Sequence, residues 1–245
     1  MNAEVSYLLH LADSSLILSQ RQSEWCGHGP VLEQDIAITN ITLDLLGQSR
    51  YLYQLAAERM RAQGVADASE DKLAFFRTER EFTSPLICEL PNGDWAQTLL
   101  RLFFYSRHRM LLFTELEQSA DAALADIARK SLKEIRYHHT WSAEWVIRMG
   151  DGTEESRNRI LRALEILWPY VGELFTTEAY DPFPADNLQT EWLKGVTEIF
   201  SEAGLPVPDA GYSHTGGKKG IHTEHMGYIL AEMQSLPRTH PGAEW

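Results

Sequence analysis

Two stretches of this chain place side chains at the spacing that a di-iron centre uses. In such centres, Glu-x-x-His on each of two helices supplies a carboxylate and an imidazole one turn apart, both facing the core. In residues 44–48 this spacing falls on Leu45 and Gln48. In residues 134–138 it falls on Ile135 and His138. Aliphatic side chains therefore stand at both carboxylate positions, and an amide replaces one imidazole. The pattern indicates a helical scaffold whose metal site has been dismantled.

Polar side chains nonetheless remain around these positions. Asp44 and Gln48 are four residues apart, as are Glu134 and His138, so each pair shares one face of a helix. Helical geometry lets all four converge between facing helices, and we expect a buried network of paired or hydrogen-bonded groups. The alternative is a metal site, but two carboxylates and one imidazole are too few ligands to hold two iron ions tightly. We therefore expect no metal and no catalytic residue in this chain.

The acidic residues of the other helices do not complete such a site. A di-iron centre also takes one carboxylate from each of two further helices. The predicted helix that begins at Trp95 has no acidic residue as far as Thr114. In the first helix, Glu4, Asp13 and Glu24 fall outside the main apolar stripe. None of these acids is therefore expected to supply a ligand.

Apolar periodicity predicts that long helices position these residues. Strand signals are weak and the sequence shows no internal repeat, so the pattern favours an all-α helix bundle. Asp94 and Thr153 are expected to cap helices, and Pro30 is expected in the first turn of the second helix. The predicted helices span approximately residues 4–22, 30–61, 71–82, 94–119, 121–149, 153–175, 187–203 and 222–236.

The loop Gly216–Gly220, which reads Gly-Gly-Lys-Lys-Gly, is a basic island in an acidic chain. Its glycines allow the main chain to approach a ligand closely, although the spacing is not that of a P-loop. We expect Lys218 and Lys219 to contact a phosphate-bearing group or the acidic surface of a partner. The alternative is a solvated turn.

The histidines offer weaker candidates. His222 and His225 are three residues apart with a carboxylate between them, a spacing that could bind a metal. Equally, Thr223 could be the N-cap of a short helix. His108 and His139 stand alone on predicted helices, where we expect surface or packing roles.

The composition excludes several classes of partner. The chain of 245 residues has 22 basic and 35 acidic side chains, a formal net charge of −13. Nucleic acid and anionic membrane surfaces are bound by clustered Lys and Arg, so neither partner is expected. No apolar run approaches the roughly 20 residues that span a bilayer. Two cysteines, Cys26 and Cys88, cannot form a disulfide framework, and we expect reduced thiols in a cytoplasmic protein.

The same motifs resemble a known family. Residues 24–30, 43–48 and 215–225 are similar to the PaaC-type subunit of ring-1,2-phenylacetyl-CoA epoxidase, a multicomponent monooxygenase. The similarity covers essentially the whole chain and includes residues 91–93 and 242–245. It implies one ferritin-like all-α domain over residues 1–245. Within that domain, residues 205–245 would form an extension that packs on the partner subunit.

The resemblance also implies a function. In that enzyme a sister subunit holds the di-iron centre and inserts one oxygen atom of O₂ into the aromatic ring of phenylacetyl-CoA. Electrons come from NADPH through a reductase that carries a flavin and an iron–sulfur cluster. The PaaC-type subunit is non-catalytic, and it pairs with and stabilises the catalytic subunit in bacterial aerobic phenylacetate breakdown.

Further expectations follow from the same resemblance. Phenylacetyl-CoA would be bound mainly by the partner subunit. Lys218 and Lys219 would lie near that subunit or near the CoA phosphates. A second copy of this chain is also open as a partner within a larger assembly. Two alternatives stay open: an independent di-iron or mono-metal oxidase that uses Asp44, Glu134 and His138, and an acyl-CoA-binding module.

Overall fold

The computed structural model describes residues 2–182, 186–209 and 211–243. Over these ranges it contains α-helices and short 3-10 turns and no strand, so the all-α prediction is confirmed. Pro184, between the helices predicted over 153–175 and 187–203, lies outside the described residues, as do Glu244 and Trp245 of the similar stretch 242–245. The helices are α1 (Ala3–Ser23), α2 (Leu32–Ala62), α3 (Glu70–Phe75), α4 (Trp95–Leu116), α5 (Ala122–Gly150), α6 (Glu154–Val171), α7 (Asp186–Glu202), α8 (Glu224–Met233) and α9 (Ser235–Thr239).

The chain divides into two compact units. The first unit consists of Met1–Pro91, Glu178–Pro182 and Gly216–Trp245, and the second of Asn92–Thr177 and Phe183–Thr215. The single domain over residues 1–245 stays a prediction.

In the first unit, α1 and α2 pack along each other, and α3 and α8 pack on this pair. Ile38, Leu45 and Leu52 lie seven residues apart on one face of α2, and all three are buried. Burying one such side chain stabilises the fold by about 1.5–3 kcal/mol. α1 differs, because its apolar residues surround the whole helix and nearly every residue from Val5 to Ser19 is buried. A helix that is apolar on all sides must lie in the interior.

The second unit is built around α4, which contacts α5, α6 and α7. Asp94 caps α4 by accepting a hydrogen bond from the main-chain N–H of Gln97 at 3.1 Å. Thr153 caps α6 in the same way, because its hydroxyl oxygen accepts a hydrogen bond from the main-chain N–H of Ser156 at 3.2 Å. Both predicted caps are therefore confirmed, and each satisfies an N–H group that the first helical turn leaves without a partner.

The helix predicted over residues 71–82 is present but shorter than predicted. α3 ends at Phe75, and a separate 3-10 turn spans Glu79–Glu81. Between them Thr78 adopts an extended conformation with φ −82° and ψ 165°. Its main-chain N–H and its hydroxyl both donate to the Glu81 carboxylate at 2.7 Å. This cap starts a new turn, and the break frees Arg77 to turn toward the core.

Other helix limits also differ from the predicted ones. Pro30 lies before α2 rather than in its first turn, because Val31 is extended with φ −149° and ψ 159°. The helix predicted over 153–175 ends as an α-helix at Val171 and continues as the 3-10 turn Gly172–Phe175. The last predicted helix, over 222–236, is divided at Gln234 into α8 and α9. The side-chain amide of Gln234 instead donates to the carbonyls of residues 74 and 77.

Candidate functional site

The ligand-spacing positions of α2 face the interior. Leu45 and Gln48 are 1% and 2% exposed, whereas Asp44 is half-buried. One residue corresponds to a rotation of about 100° around a helix, so the carboxylate of Asp44 projects from a different side than the Leu45 side chain. On α2, an aliphatic residue and an amide therefore occupy the positions that face inward.

The equivalent positions of α5 follow the same pattern. Ile135 and His138 are 2% and 1% exposed, and Glu134 is half-buried. α5 belongs to the second unit and α2 to the first, so the convergence of Asp44, Gln48, Glu134 and His138 stays a prediction.

The donor set at these positions does not fit a di-iron centre. Such a centre requires inward-facing carboxylates at the first position of each motif. Here those positions carry hydrocarbon side chains, which cannot coordinate a metal. Within the described ranges, no group of three or more His, Cys, Asp or Glu residues is placed to hold a metal ion.

The first unit instead buries a carboxylate that the sequence analysis placed outside the main stripe of α1. Asp13 is 0% exposed. Its Oδ1 accepts a hydrogen bond from the Tyr53 hydroxyl at 2.6 Å, and its Oδ2 accepts one from the main-chain N–H of Thr83 at 2.9 Å. The guanidinium of Arg77 donates to both carboxylate oxygens. The single-stripe interpretation of α1 was wrong because the helix is apolar on all sides, so a mid-helix acid is buried whichever way it points.

The electrostatics of this cluster keep Arg77 charged and Tyr53 protonated. Burial opposes the charge of Arg77, but the charge of Asp13 outweighs it and the pKa of Arg77 is raised. Burial and the negative charge of Asp13 raise the pKa of Tyr53 well above its ordinary value. The guanidinium also lies 4.1 Å from the centroid of the Phe82 ring, a favourable cation–π contact. The cluster is a satisfied buried ion pair that joins α1, α2 and residues 77–83.

A second buried pair joins the same region to the start of α8. The side chains of Glu89 and His222 are both 0% exposed, and His222 Nδ1 lies 2.6 Å from Glu89 Oε2. Thr223 donates to Glu89 Oε1 from its main-chain N–H at 2.6 Å and from its hydroxyl at 2.8 Å. The hydroxyl of Thr223 accepts from the main-chain N–H of His225, so Thr223 is the N-cap of α8. The capped-helix interpretation of residues 222–225 is therefore confirmed.

The glycines of the loop Gly216–Gly220 lie against protein main chain. A Cβ atom at Gly217 would lie 2.3 Å from the carbonyl oxygen of Ser84, and one at Gly220 would lie 2.3 Å from that of Arg80. Gly220 also has φ +73°, a backbone conformation that residues with a side chain rarely adopt. The close approach that the glycines allow is therefore made to residues 80–86 of the same unit.

The two lysines of this loop have different surroundings. Lys218 is 5% exposed, and its ammonium lies 3.0 Å from Asp181 Oδ2 in a buried ion pair. The Tyr180 hydroxyl donates to the carbonyl oxygen of Lys218 at 2.8 Å. Lys219 is 63% exposed and lies 3.5 Å from Glu178. Of the two, Lys219 is the side chain that a partner or a CoA phosphate could reach, and its contact with either stays a prediction.

Alanine substitutions should separate the two roles. We expect Lys218→Ala to lower the free energy of unfolding by about 2 kcal/mol, because it leaves the buried Asp181 carboxylate without its counter-ion. The loss is moderated because Asp181 still accepts from the main-chain N–H of Glu178 at 2.7 Å. Lys219→Ala should cost less than about 1 kcal/mol, as for other exposed pairs. Denaturant unfolding of both variants measures the difference, and equal losses would contradict these assignments.

The isolated histidines of the second unit serve packing. His139 stacks on Phe103 with ring centroids 5.5 Å apart. Burial, followed by the positive charge of Arg107, lowers the pKa of His139 to about 4, so its ring is neutral at pH 7. His108 is buried and meets the ring of Phe175 edge-on at 5.5 Å. The packing interpretation of both residues is confirmed.

Comparisons with known proteins agree with the resemblance seen in the sequence motifs. The chain belongs to the family of phenylacetic acid catabolic proteins, whose family model matches residues 1–245. It is 43% identical over 253 aligned positions to the C-type subunit of 1,2-phenylacetyl-CoA epoxidase from Escherichia coli (strain K12), with all of both chains covered. The resemblance inferred from residues 24–30, 43–48 and 215–225 is therefore confirmed.

Proposed function

We propose that this chain is a non-catalytic subunit of a phenylacetyl-CoA epoxidase in aerobic phenylacetate breakdown. It would bind and stabilise the di-iron subunit that carries out the reaction. The observation that carries this proposal is the burial of Leu45 and Ile135 at the two positions where a di-iron site requires carboxylates. The relative that is 43% identical is itself a subunit of such an epoxidase.

The chemistry would then reside in the partner proteins. Iron would be held by the catalytic subunit, and the flavin, the iron–sulfur cluster and NADPH would belong to the reductase. Phenylacetyl-CoA would be bound mainly by the catalytic subunit. The contribution of this chain is a helical surface, and the buried ion pair Asp13–Arg77 supports that role by joining α1 to residues 77–83 of the first unit.

A cytoplasmic location is part of the proposal. Cys26 is exposed and Cys88 is buried, and neither forms a disulfide. Cysteines outside disulfides are typical of reducing compartments. None of the described helices combines the length and the apolar character needed to cross a bilayer.

Reconstitution with the catalytic subunit tests the proposal. The tagged chain is co-expressed with that subunit, and epoxide formation from phenylacetyl-CoA is measured with the reductase and NADPH present. We expect the two subunits to co-purify, the chain alone to be inactive, and the catalytic subunit to lose solubility or activity without this chain. Turnover by the chain alone would favour the oxidase alternative. Direct CoA binding without any association of subunits would favour the acyl-CoA-binding module.

A substitution in this chain, tested in the assembled complex, distinguishes the non-catalytic role from the oxidase alternative. His138→Gln replaces the remaining inward-facing imidazole of α5 with an amide, which is the residue type that Gln48 already supplies on α2. A non-catalytic chain predicts that the assembled complex keeps its turnover. Abolished turnover in a complex that still assembles would contradict the proposal.

A further inference from the structure

The ring of His222 lies between two hydrogen-bond acceptors. Its Nε2 is 2.9 Å from the carbonyl oxygen of Phe82, and its Nδ1 is 2.6 Å from Oε2 of Glu89. A carbonyl oxygen can only accept, so Nε2 must carry a proton. A neutral imidazole carries one N–H, so the contact at Nδ1 requires a second proton, which resides either on the ring or on Glu89.

The surroundings of Glu89 place that proton on the ring. Oε1 of Glu89 accepts from the main-chain N–H and the hydroxyl of Thr223. The hydroxyl itself accepts from the main-chain N–H of His225 at 3.3 Å, so its own proton is available to Glu89. A carboxylate that accepts several hydrogen bonds is favoured in its ionised form. The geometry is therefore that of a buried imidazolium–carboxylate pair.

Charged groups of both signs surround the pair, and the negative ones favour the imidazolium. α1 contributes the negative charge of Asp13, and Arg21 of α1 donates to the main-chain oxygen of Glu89 at 2.8 Å. Residues 79–89 contribute Glu89 and the Phe82 carbonyl, and α8 contributes Glu224 and His225 in its first turn. Burial alone disfavours the imidazolium, but Glu89, the Phe82 carbonyl and Asp13 together raise the pKa of His222 above its ordinary value of 6.5.

His222 stands where the C-terminal segment, residues 216–243, joins the rest of the first unit. The other described attachments of this segment include the Lys218–Asp181 pair and the bonds from Gln234 and Arg238 to the carbonyl oxygen of Arg77. Lysine, aspartate, arginine and amide groups do not ordinarily titrate between pH 5 and 8, whereas imidazole does. The attachment through His222 is thus the one in this set that responds to pH near neutrality.

We propose that His222 is a proton-dependent latch: as an imidazolium it fastens the C-terminal segment to Glu89 and Phe82, and on losing its proton it releases this attachment. A neutral ring leaves either the Phe82 carbonyl or the Glu89 carboxylate without its donor in a buried site, which favours opening. The proposal concerns this chain alone and does not depend on its place in an epoxidase.

The direction of the pH effect follows from the raised pKa. When His222 has a higher pKa in the closed state than in the open one, its stabilisation is complete below pH 6.5. The stabilisation falls as pH rises toward the closed-state pKa and is lost above it. Each unit of difference between the two pKa values changes the opening equilibrium about tenfold. Alkaline conditions should therefore loosen the C-terminal segment before the chain unfolds.

Two measurements on the full chain test the latch. Nitrogen NMR of the chain labelled at histidine, with His222 assigned from the His222→Gln spectrum, should show both ring nitrogens of His222 protonated in most molecules at pH 6.5, where an ordinary imidazole is about half protonated. Hydrogen exchange of the α8 amides, corrected for intrinsic rates, should show opening about tenfold or more easier in His222→Gln than in wild type at pH 6. The two proteins should converge at high pH.

The variant His225→Gln is the control for this test, and titration of the wild-type chain provides a second, independent readout. His225→Gln changes the neighbouring histidine of the same helix start and should leave the pH profile of α8 exchange unchanged. If His222→Gln does not fold, the wild-type titration still decides, with the His222 ring assigned through its bonds to the assigned backbone. A titration midpoint of His222 at or below pH 6.5, or equal exchange in wild type and His222→Gln at pH 6, would overturn the proposal.

Discussion

Replacing Asp13 with Asn is expected to lower the free energy of unfolding by about 3–5 kcal/mol. The substitution keeps the size of the side chain but removes the charge that neutralises the buried Arg77 guanidinium. It also presents an N–H₂ group to a site whose neighbours, Tyr53, Arg77 and Thr83, are donors. An uncompensated cation and clashing donors in a dry interior are both costly. Urea unfolding followed by circular dichroism measures the loss.

An exposed aspartate provides the matched control for this substitution. Asp126 pairs with Arg129 one turn along α5, and the two side chains are 74% and 59% exposed. Asp126→Asn should cost less than about 1 kcal/mol, because water screens and replaces the interaction. If the two variants unfold at the same urea concentration as wild type, the buried pair is not what fixes α1 to residues 77–83.

Trp192→Ala is expected to cost about 3–5 kcal/mol in the second unit. The indole is 2% exposed and packs against the rings of Phe104, Trp168 and Phe175. Its Nε1–H donates to the carbonyl oxygen of Phe104 at 3.0 Å. Truncation therefore removes a large apolar contact and leaves a cavity that the surrounding rings fill only in part. The midpoint of thermal unfolding should fall markedly.

The adjacent residue of α7 serves as the control for Trp192. Leu193 is 41% exposed, so Leu193→Ala should change stability by less than about 1 kcal/mol. A Trp192→Ala protein as stable as Leu193→Ala would show that the aromatic cluster does not hold α7 against α4 and α6.

The sequence allowed the helices and their caps to be predicted because those features are local. The alternating spacing of Ile38, Ile41 and Leu45 marks the buried stripe of α2. Asp94 and Thr153 satisfy N–H groups only two or three residues away. The same locality explains why the ligand-spacing residues of α2 and α5 were correctly expected on inward faces. Because residues three or four apart lie on the same face of a helix, the buried face can be predicted without knowledge of the neighbouring helices.

The buried ion pairs could not be predicted because their partners are distant in sequence. Arg77 lies 64 residues from Asp13, and His222 lies 133 residues from Glu89. Periodicity indicates which side of a helix is buried but not which charge stands opposite. For Asp13 even the side was misjudged, since α1 is apolar all round.

The glycine-rich loop shows a different limit of sequence analysis. Glycine at 217 and 220 correctly indicated that something approaches the main chain closely, but a ligand and another stretch of protein impose the same requirement. The structure identifies the neighbours as the carbonyls of Ser84 and Arg80. The burial of Lys218 beside Asp181 has the same origin, because residues 178–182 are distant in sequence from the loop that they pair with.

The iron content of the purified chain, produced alone in medium with added iron, tests the central claim most directly. With hydrocarbon side chains at the inward carboxylate positions of α2 and α5, elemental analysis should find close to zero iron per chain. If the proposed function holds, the complex with the catalytic subunit should contain the iron that this chain alone lacks. About two iron ions per isolated chain, the content of an intact di-iron site, would contradict the account and return Asp44, Glu134 and His138 to consideration as ligands.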